Sequence, residues 1–391
     1  MAVDNLVLAD QALKTFYLNG LRNQMNDASV LLAQIERNSE NVRGSEIMMA
    51  LKYGRSGGVG NRRDDADMPT PNPRKRKKAT WDTKNIFGHL TITDKTIEAS
   101  KTSAGAFADL LEVDLEDLAT DAKDSLSRQV FGDGTGVVAI ITTGVTGVTL
   151  TCSAGVDNLS EGQFIDIYDT TLNSQKYAGK EITGVDYDNN QITIAGTNVT
   201  VVDTDKIVIA GNLNEELTGL DAVFTPDTTL YNINRSQAAN KFFNPVTSAL
   251  NGEISEVAIQ GQIDAVDKRS GSKTNLLSGS YGVRRAYQNL LTATKQTVNV
   301  MDLKGGYKVL TYNGMPFTVD KYNPAGTLFG LDMSTWMMCE MDDWDWLSDA
   351  AGKVIRVISG TAQWEATLRK YCDLGCDKPR GNWKMTGITE H

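Results

Sequence analysis

A charged segment rich in glycine and proline constrains the fold more than any other feature of the sequence. Residues 54–80 hold four Gly, three Pro and almost no apolar side chain, so they cannot belong to a packed core. The flanks Leu51–Tyr53 and Trp81–Thr93 are ordered in character, and the second shows the β-branched alternation of a strand. This arrangement predicts a long, extended, hairpin-like loop, which has too little apolar surface to offset the entropy of ordering in the isolated chain.

The same segment is basic within an acidic chain. Between Arg55 and Lys84, nine Lys or Arg oppose four Asp, a net charge of +5, whereas the whole chain carries −10 and the remainder therefore −15. The run Arg74–Lys78 leaves three interpretations open: it binds nucleic acid, it is a solvated tip without a partner, or it meets an acidic surface. The net negative charge argues against general nucleic-acid binding. No aromatic residue is interleaved among residues 55–80, so base stacking has no support.

Residues 102–131 form the strongest predicted helix. Apolar side chains at steps of three or four predict one buried stripe, made by Phe107, Leu111, Leu115, Leu118, Ala122 and Leu126. The other faces are acidic. The sequence Gly132-Asp133-Gly134-Thr135-Gly136 follows the helix, whereas nucleotide-binding glycine loops follow a strand and open a helix. It therefore predicts a helix stop and hinge.

The acidic helix offers the basic loop a partner in another copy of the chain. Extended chain covers about 3.3 Å per residue, so the loop can reach beyond its own domain. A contact between different patches on two copies is heterologous and repeats into rings or larger arrays. On the loop, the predicted contact residues are Arg62, Arg63, Arg74, Lys75, Arg76, Lys77, Lys78 and Lys84. On the helix, they are Asp109, Glu112, Glu116, Asp117, Asp121 and Asp124.

The remaining pattern is of the α+β class. Helical periodicity predicts helices over 5–40, 45–53, 235–250, 253–269 and 281–297. Short β-rich runs separated by turns over 137–211 predict a small all-β barrel or sandwich, with a hairpin turn at Asp188-Asn189-Asn190. Further strands are predicted at 274–278 and 307–312, and at 315–320 after the turn Asn313-Gly314. The segment after 326 reads as strands and holds five of the six Trp.

The sequence offers little for catalysis. It has two histidines, His89 and His391, and nothing beside His89 supplies an activated nucleophile. Cys372 and Cys376 lack the second ligand pair that a zinc site needs, so they are expected to be small buried residues. We therefore expect neither an enzyme nor a cofactor or metal site. Four sparse cysteines, no apolar run of about 20 residues and no signal-peptide pattern indicate a protein kept in a cytoplasm, away from membranes.

The order of these segments, with four stretches of sequence, resembles the major capsid protein of tailed bacteriophages, the Hong Kong 97-like fold. The stretches are DLATDAKDSLSRQVFGDGTG at 117–136, LNEELTGLDAVF at 213–224, SYGVRRAYQNLL at 280–291 and YNGMPFTVDKYNPAGTLFGLDMSTW at 312–336. None is a catalytic signature, and the matching order covers most of the chain.

The resemblance implies a division of the chain. It comprises an N-terminal arm (1–45), an extended loop lying over an adjacent subunit (46–96), a peripheral domain with the spine helix (97–136), an inserted β domain (137–212), an axial domain (213–330) and C-terminal strands that complete the peripheral domain (331–391). The function implied is self-assembly as pentamers and hexamers into an icosahedral head that encloses double-stranded DNA without sequence-specific binding. The location implied is the virion, after assembly in the bacterial host cytoplasm.

The resemblance also suggests partners and alternatives. Some relatives carry a scaffold segment of around a hundred residues at the N-terminus, whereas here only about 45 residues precede the loop. A separate scaffolding protein is therefore expected, together with a portal, and a decoration protein is a further candidate. Two alternatives stay open at this point: an encapsulin-like compartment shell, and a β-rich binding protein of the cell surface.

Overall fold

The computed structural model describes residues 30–54, 56–95, 104–293, 300–302, 308–348 and 354–391. The chain forms two compact units. One consists of Asp121–Ala222, and the other combines Met1–Thr120 with Val223–His391.

The N-terminal elements differ from the helices predicted there. They are α1 (Val30–Gln34), β1 (Glu36–Asn38), β2 (Val42–Arg43), β3 (Glu46–Lys52), β4 (Arg76–Asp82), β5 (Lys84–Thr93) and α2 (Ala104–Phe131). The helix expected over 5–40 lies largely outside the described residues. Helix α1 confirms it over Val30–Gln34, and its end is wrong, because β1 pairs in parallel with residues 337–339. The helix expected over 45–53 is also wrong. Alternate side chains of β3, Ile47, Met49 and Leu51, are buried, which is the period of a strand.

Helix α2 confirms the predicted long helix from residue 104 onward. On its described side chains, Ala119, Ala122, Leu126 and Val130 form a buried stripe, while the side chains of residues 104–116 lie outside the described part. The helix ends before two glycines of left-handed backbone, Gly134 and Gly136, at φ +84° and +82°. A Cβ at the second would lie 2.5 Å from the Asn212 carbonyl oxygen, so only glycine fits this helix stop.

The unit Asp121–Ala222 contains a closed six-stranded barrel. The strands of this unit are β6 (Val137–Ile141), β7 (Val145–Gly147), β8 (Thr149–Ala154), β9 (Phe164–Tyr168), β10 (Gln175–Asp186), β11 (Gln191–Ile194), β12 (Val199–Val201) and β13 (Lys206–Ile209). The barrel order is β10-β11-β8-β6-β13-β9, and β12 pairs with β7. Isoleucines such as Ile165, Ile182 and Ile207 are fully buried in its core. The predicted turn after Asp186 joins β10 to β11, with Asn190 at φ +52°.

The elements after this barrel alternate between helices and strands. They are α3 (Leu220–Phe224), β14 (Thr229–Leu230), β15 (Ile233–Asn234), β16 (Val246–Gly252), α4 (Glu256–Ser270), β17 (Leu276–Gly279), α5 (Tyr281–Ala293), β18 (Val300–Asp302), β19 (Lys308–Tyr312), β20 (Met315–Val319), β21 (Leu328–Leu331), β22 (Trp336–Trp346), β23 (Arg356–Val357), β24 (Gln363–Cys376) and β25 (Trp383–Ile388). The helix expected over 235–250 is wrong. A 3₁₀ turn, Ala238–Phe243, ends at extended Asn244 (ψ 140°) and β16 follows, because Pro245 disfavours helical backbone in the residue before it.

A seven-stranded sheet combines the strands between residues 246 and 331 with β25. Its order is β16-β25-β21-β17-β20-β19-β18, and the helices α4 and α5 contribute Ile259, Val266, Val283 and Tyr287 to the core that it shares with Trp383. The predicted turn at Asn313-Gly314 lies between β19 and β20, with both residues at positive φ.

A second sheet joins the two ends of the chain. Its order is β1-β22-β24-β23, and β5 pairs along ten residues of β24. The strands after residue 331 therefore divide between two sheets, since β25 lies in the seven-stranded sheet. β25 belongs to that sheet because it pairs in parallel with β16 and antiparallel with β21.

Candidate intersubunit contact surface

The extended loop predicted from the sequence is the connection of a β-hairpin. Strands β3 and β4 pair in register from Glu46↔Asp82 to Lys52↔Arg76. Every second side chain of β3 and Ala79 of β4 are buried. Residues 53–75 connect the two strands, and beyond Gly54, whose amide donates to the Lys75 carbonyl, the ladder stops.

The base of this hairpin is anchored on the segment 231–243. The rings of Trp81 and Tyr231 stack with centroids 3.9 Å apart, and those of Tyr53 and Phe242 stack at 4.0 Å. The Thr80 amide donates to the Tyr231 carbonyl over 3.2 Å. Aromatic pairs of this kind contribute to stability beyond their buried area, so the base of the hairpin is held in a fixed orientation on this segment.

One buried arginine holds the anchoring segment in shape. The guanidinium of Arg235 is fully buried and donates to the carbonyl of Val223 over 2.7 Å, to the Thr228 hydroxyl over 2.7 Å and to the Thr225 carbonyl. Burial lowers its pKa to about 10, so it stays charged at neutral pH. Tyr231 lies on the same loop, between Thr228 and Arg235, and its hydroxyl donates to the Leu374 carbonyl over 2.8 Å. Burial raises the pKa of that phenol well above its usual value.

The tip of the hairpin has a different character. Its described hydrogen bonds are internal, such as Ser56 Oγ to the Asn72 carbonyl at 2.8 Å and the bidentate pair of Arg63 with Asp65. That pair raises the pKa of Arg63 and lowers that of Asp65. Two apolar side chains are almost wholly exposed, Val59 at 90% and Met68 at 86%. Sequence reasoning missed both, although an isolated Val or Met among Gly, Pro and charged residues was a readable signal.

The predicted basic residues lie along this hairpin but are not equivalent. Arg62 and Arg63 lie in the tip, and Arg74, Lys75, Arg76 and Lys78 are exposed on the returning limb. Lys77 is half-buried and donates to Asn240 Oδ1 over 2.6 Å, so it anchors the hairpin to its own chain. Lys84 opens β5, is half-buried and has an interaction within the chain. The exposed cations therefore occupy the tip and the returning limb.

The predicted acidic residues can be placed in part. Asp117, Asp121 and Asp124 are exposed on α2, at spacings of four and three that put them on one face. The side chains of Asp109, Glu112 and Glu116 lie outside the described part of the chain. The three described carboxylates form an acidic stripe more than one helical turn long.

Ionisable groups elsewhere give little for catalysis. Burial raises the pKa of the Cys152 thiol to about 11 and those of Cys339 and Cys372 to about 12. Such thiols are protonated at neutral pH and are poor nucleophiles. His89 is exposed, and its Nδ1 lies 3.2 Å from Thr367 Oγ1. Within the described residues, no three His, Cys, Asp or Glu lie together as metal ligands, and no helix is long and apolar enough to cross a membrane.

Comparison with known proteins rests on structure. No protein-family model and no curated protein sequence matches the chain. Among solved structures, a chain of the cyanophage A-1(L) capsid asymmetric unit is similar at a TM-score of 0.56 and 12% identity, over 93% of each chain. A capsid chain of an empty GTA particle matches at 0.49 and 11% identity, over 93% of this chain and 90% of that one. The SrpI encapsulin of Synechococcus elongatus PCC 7942 matches at 0.45 and 9% identity, over 92% and 89%.

The likeness to the cyanophage chain shows the fold. It spans 93% of both chains at a TM-score of 0.56, so the chain has the overall fold of a phage capsid chain. The resemblance to phage capsid chains and the α+β class expected from the sequence are thereby confirmed.

Proposed function

We propose that this chain is a major capsid protein that assembles with copies of itself, as pentamers and hexamers, into an icosahedral head enclosing double-stranded DNA. The observation that carries the proposal is the capsid-chain fold over 93% of the sequence. A hairpin that is anchored firmly at its base and exposed at its tip supports it, because such a projection can reach another subunit. The described ionisable groups suit a structural role rather than catalysis.

The hairpin is the proposed contact between neighbouring copies. The exposed cations of its returning limb, Arg74, Arg76 and Lys78, would lie on the acidic stripe Asp117, Asp121 and Asp124 of the next subunit. The two surfaces carry opposite charges, which favours this contact over one between two surfaces of like charge. The contact is heterologous, so each copy gives one hairpin and receives another, and the copies form a ring when the rotation between them closes.

Other parts of the proposal concern partners and the barrel. A separate scaffolding protein and a portal would assist assembly in the host cytoplasm, and a decoration protein would bind the finished shell. The net charge of −10 suits a wall that does not grip DNA, which predicts weak, non-specific DNA retention. The barrel of residues 137–212 would be an inserted domain on the outer surface. Its first and last strands pair, with Val208 beside Val137, so the chain enters and leaves at adjacent positions.

Negative-stain microscopy and sedimentation velocity of the purified chain test the function, with and without its scaffold. Round shells or capsomer rings are expected. A variant that replaces residues 56–73 with a short Gly-Ser linker should remain folded and lose the shells. A chain that stays monomeric at all concentrations, also with scaffold present, would refute the proposal.

Charge removal tests the proposed contact. Changing Arg74, Arg76 and Lys78 to Ala should raise the concentration needed for assembly and flatten its dependence on salt, because screened ion pairs are lost. Changing the equally exposed Arg43, Lys268 and Lys273 to Ala is the matched control. Equal behaviour of the two triple variants would show that the acidic stripe is not the partner.

Barrel removal tests the inserted-domain proposal. Joining Gly136 to Asn212 through a short linker should leave shells that assemble. Aggregated protein from this deletion would instead make the barrel part of the assembling core.

A further inference from the structure

A basic cleft lies beside the anchor of the hairpin, on the unit that includes Val223–His391. Its volume is about 430 Å³, and its walls include Lys241, Asn244, Arg269 and Arg380. Pro245 and Val246 form a buried apolar floor. The cleft follows directly in sequence from Phe242, the ring on which Tyr53 stacks.

The cations of the cleft are not equally engaged. Lys241 is paired with Asp227, whose carboxylate also accepts from the Asn244 amide over 2.8 Å, and these bonds lower the pKa of Asp227. Arg380 donates to the Lys241 carbonyl over 2.9 Å through Nη2. Arg269 lies in the last turn of α4, and it forms no ion pair with an acidic side chain among the described residues. The cleft therefore keeps an excess of positive charge and open guanidinium donors.

The tip of the hairpin carries an acidic group directly after Arg62 and Arg63. Asp64, Asp65 and Asp67 are exposed within four residues of one another, and only Asp65 has a described ion-pair partner, Arg63. Met68 follows directly and is 86% exposed. An acidic run beside a lone apolar side chain fits a cleft with guanidinium walls and an apolar floor, because Arg binds carboxylates with paired donors.

The tip belongs to a different copy than the cleft it would fill. No residue that lines the cleft comes from the loop 53–75. The cleft lies at the base of its own hairpin, whereas Asp64 is eleven residues beyond Tyr53, up to about 36 Å of extended chain. In the single chain, the cleft is therefore left open by its own tip.

We infer that the cleft of Lys241, Arg269 and Arg380 receives the acidic tip Asp64–Asp67 of a second copy of this chain. This rests on the proposed function and adds to it a second charge pairing, of opposite polarity to that of the returning limb. The two pairings together fix both the position and the direction of the hairpin. A single pairing would leave the hairpin free to slide along an acidic surface.

Reciprocal charge reversal tests the inference. Arg269→Glu, and separately the double variant Asp64→Lys with Asp67→Lys, should each raise the half-assembly concentration by about tenfold or more, as broken close charge pairs do. Combining all three changes places the new carboxylate at position 269 against the new lysines while Lys241 and Arg380 stay positive, so it should recover part of the loss. Lys268→Glu, on the neighbouring exposed residue of α4, and Asp188→Lys, at a barrel turn, are matched controls that should assemble normally.

The outcomes separate the inference from the function. If the unaltered chain and both controls form no shells, the proposed function fails. If they form shells and Arg269→Glu does so equally well, or if the combined variant is worse than either part, the pairing is wrong. Normal shells of Arg269→Glu that retain less DNA would identify phosphate as the occupant and would also overturn the inference. Circular dichroism of each unassembled variant checks that it is folded.

Discussion

The base and the tip of the extended hairpin are built on opposite principles. At the base, two stacked aromatic pairs, a buried arginine and an in-register ladder fix the chain. At the tip, the described contacts are short-range, and two apolar side chains face solvent. The base therefore resembles a protein core, whereas the tip resembles one half of an interface.

This difference separates the contacts that stabilise the single chain from those that form only with a neighbouring copy. Substitutions at the base should act on the free energy of unfolding of the single chain. Substitutions at the tip should act on association and leave the single chain unaffected. The contrast would fail if either region affected both quantities equally.

The largest effect is expected at the ring that anchors the hairpin. Tyr231→Ala removes a buried ring stacked on Trp81, which should lower the free energy of unfolding by about 3–5 kcal/mol. Tyr231→Phe keeps the stack and loses only the hydroxyl bond to Leu374, at a cost of about 1–2 kcal/mol. Urea denaturation of the unassembled chain measures both. Equal losses for the two variants would mean that the stack contributes little.

A smaller effect is expected at the buried arginine. Arg235→Met fills a similar volume but leaves the carbonyls of Val223 and Thr225 without their donor, at a cost of about 2–3 kcal/mol. Arg235→Lys restores the charge but not the fork of donors, so it should recover only part of the loss. Thermal unfolding of both variants compares them. Full recovery by Lys would show that charge alone, rather than donor geometry, holds the segment.

The hairpin also shows how far sequence reasoning reaches. The composition of residues 54–80 predicted an extended loop, which is correct up to residue 75 and wrong over 76–80, where β4 begins and Ala79 is buried. Periodicity predicted α2, because a helical stripe is a local signal. The strand β3 was missed, since five consecutive apolar residues, Ile47 to Leu51, suit either a helix or a strand until the partner β4 is known. The basic cleft could not be predicted at all. Its lining comes from Pro226, from four residues between Lys241 and Val246, from Arg269 and from Arg380, which only the tertiary fold brings together.

The smallest effect on stability, and the sharpest test of the contrast, is expected at the tip. Val59→Ser with Met68→Ser changes side chains that are 90% and 86% exposed, so the free energy of unfolding should stay within about 0.5 kcal/mol. Shell assembly should nevertheless weaken, because apolar surface that is exposed in the single chain loses its burial at the neighbour. Sedimentation of the variant beside Val257→Ser, a change at an equally exposed valine on α4 (83%), separates a tip effect from a general loss of surface apolarity. Unchanged assembly of the tip variant would mean that charge alone directs the hairpin to its neighbour. A lower free energy of unfolding would instead mean that the tip packs on its own chain. The proposed difference between base and tip would then be wrong.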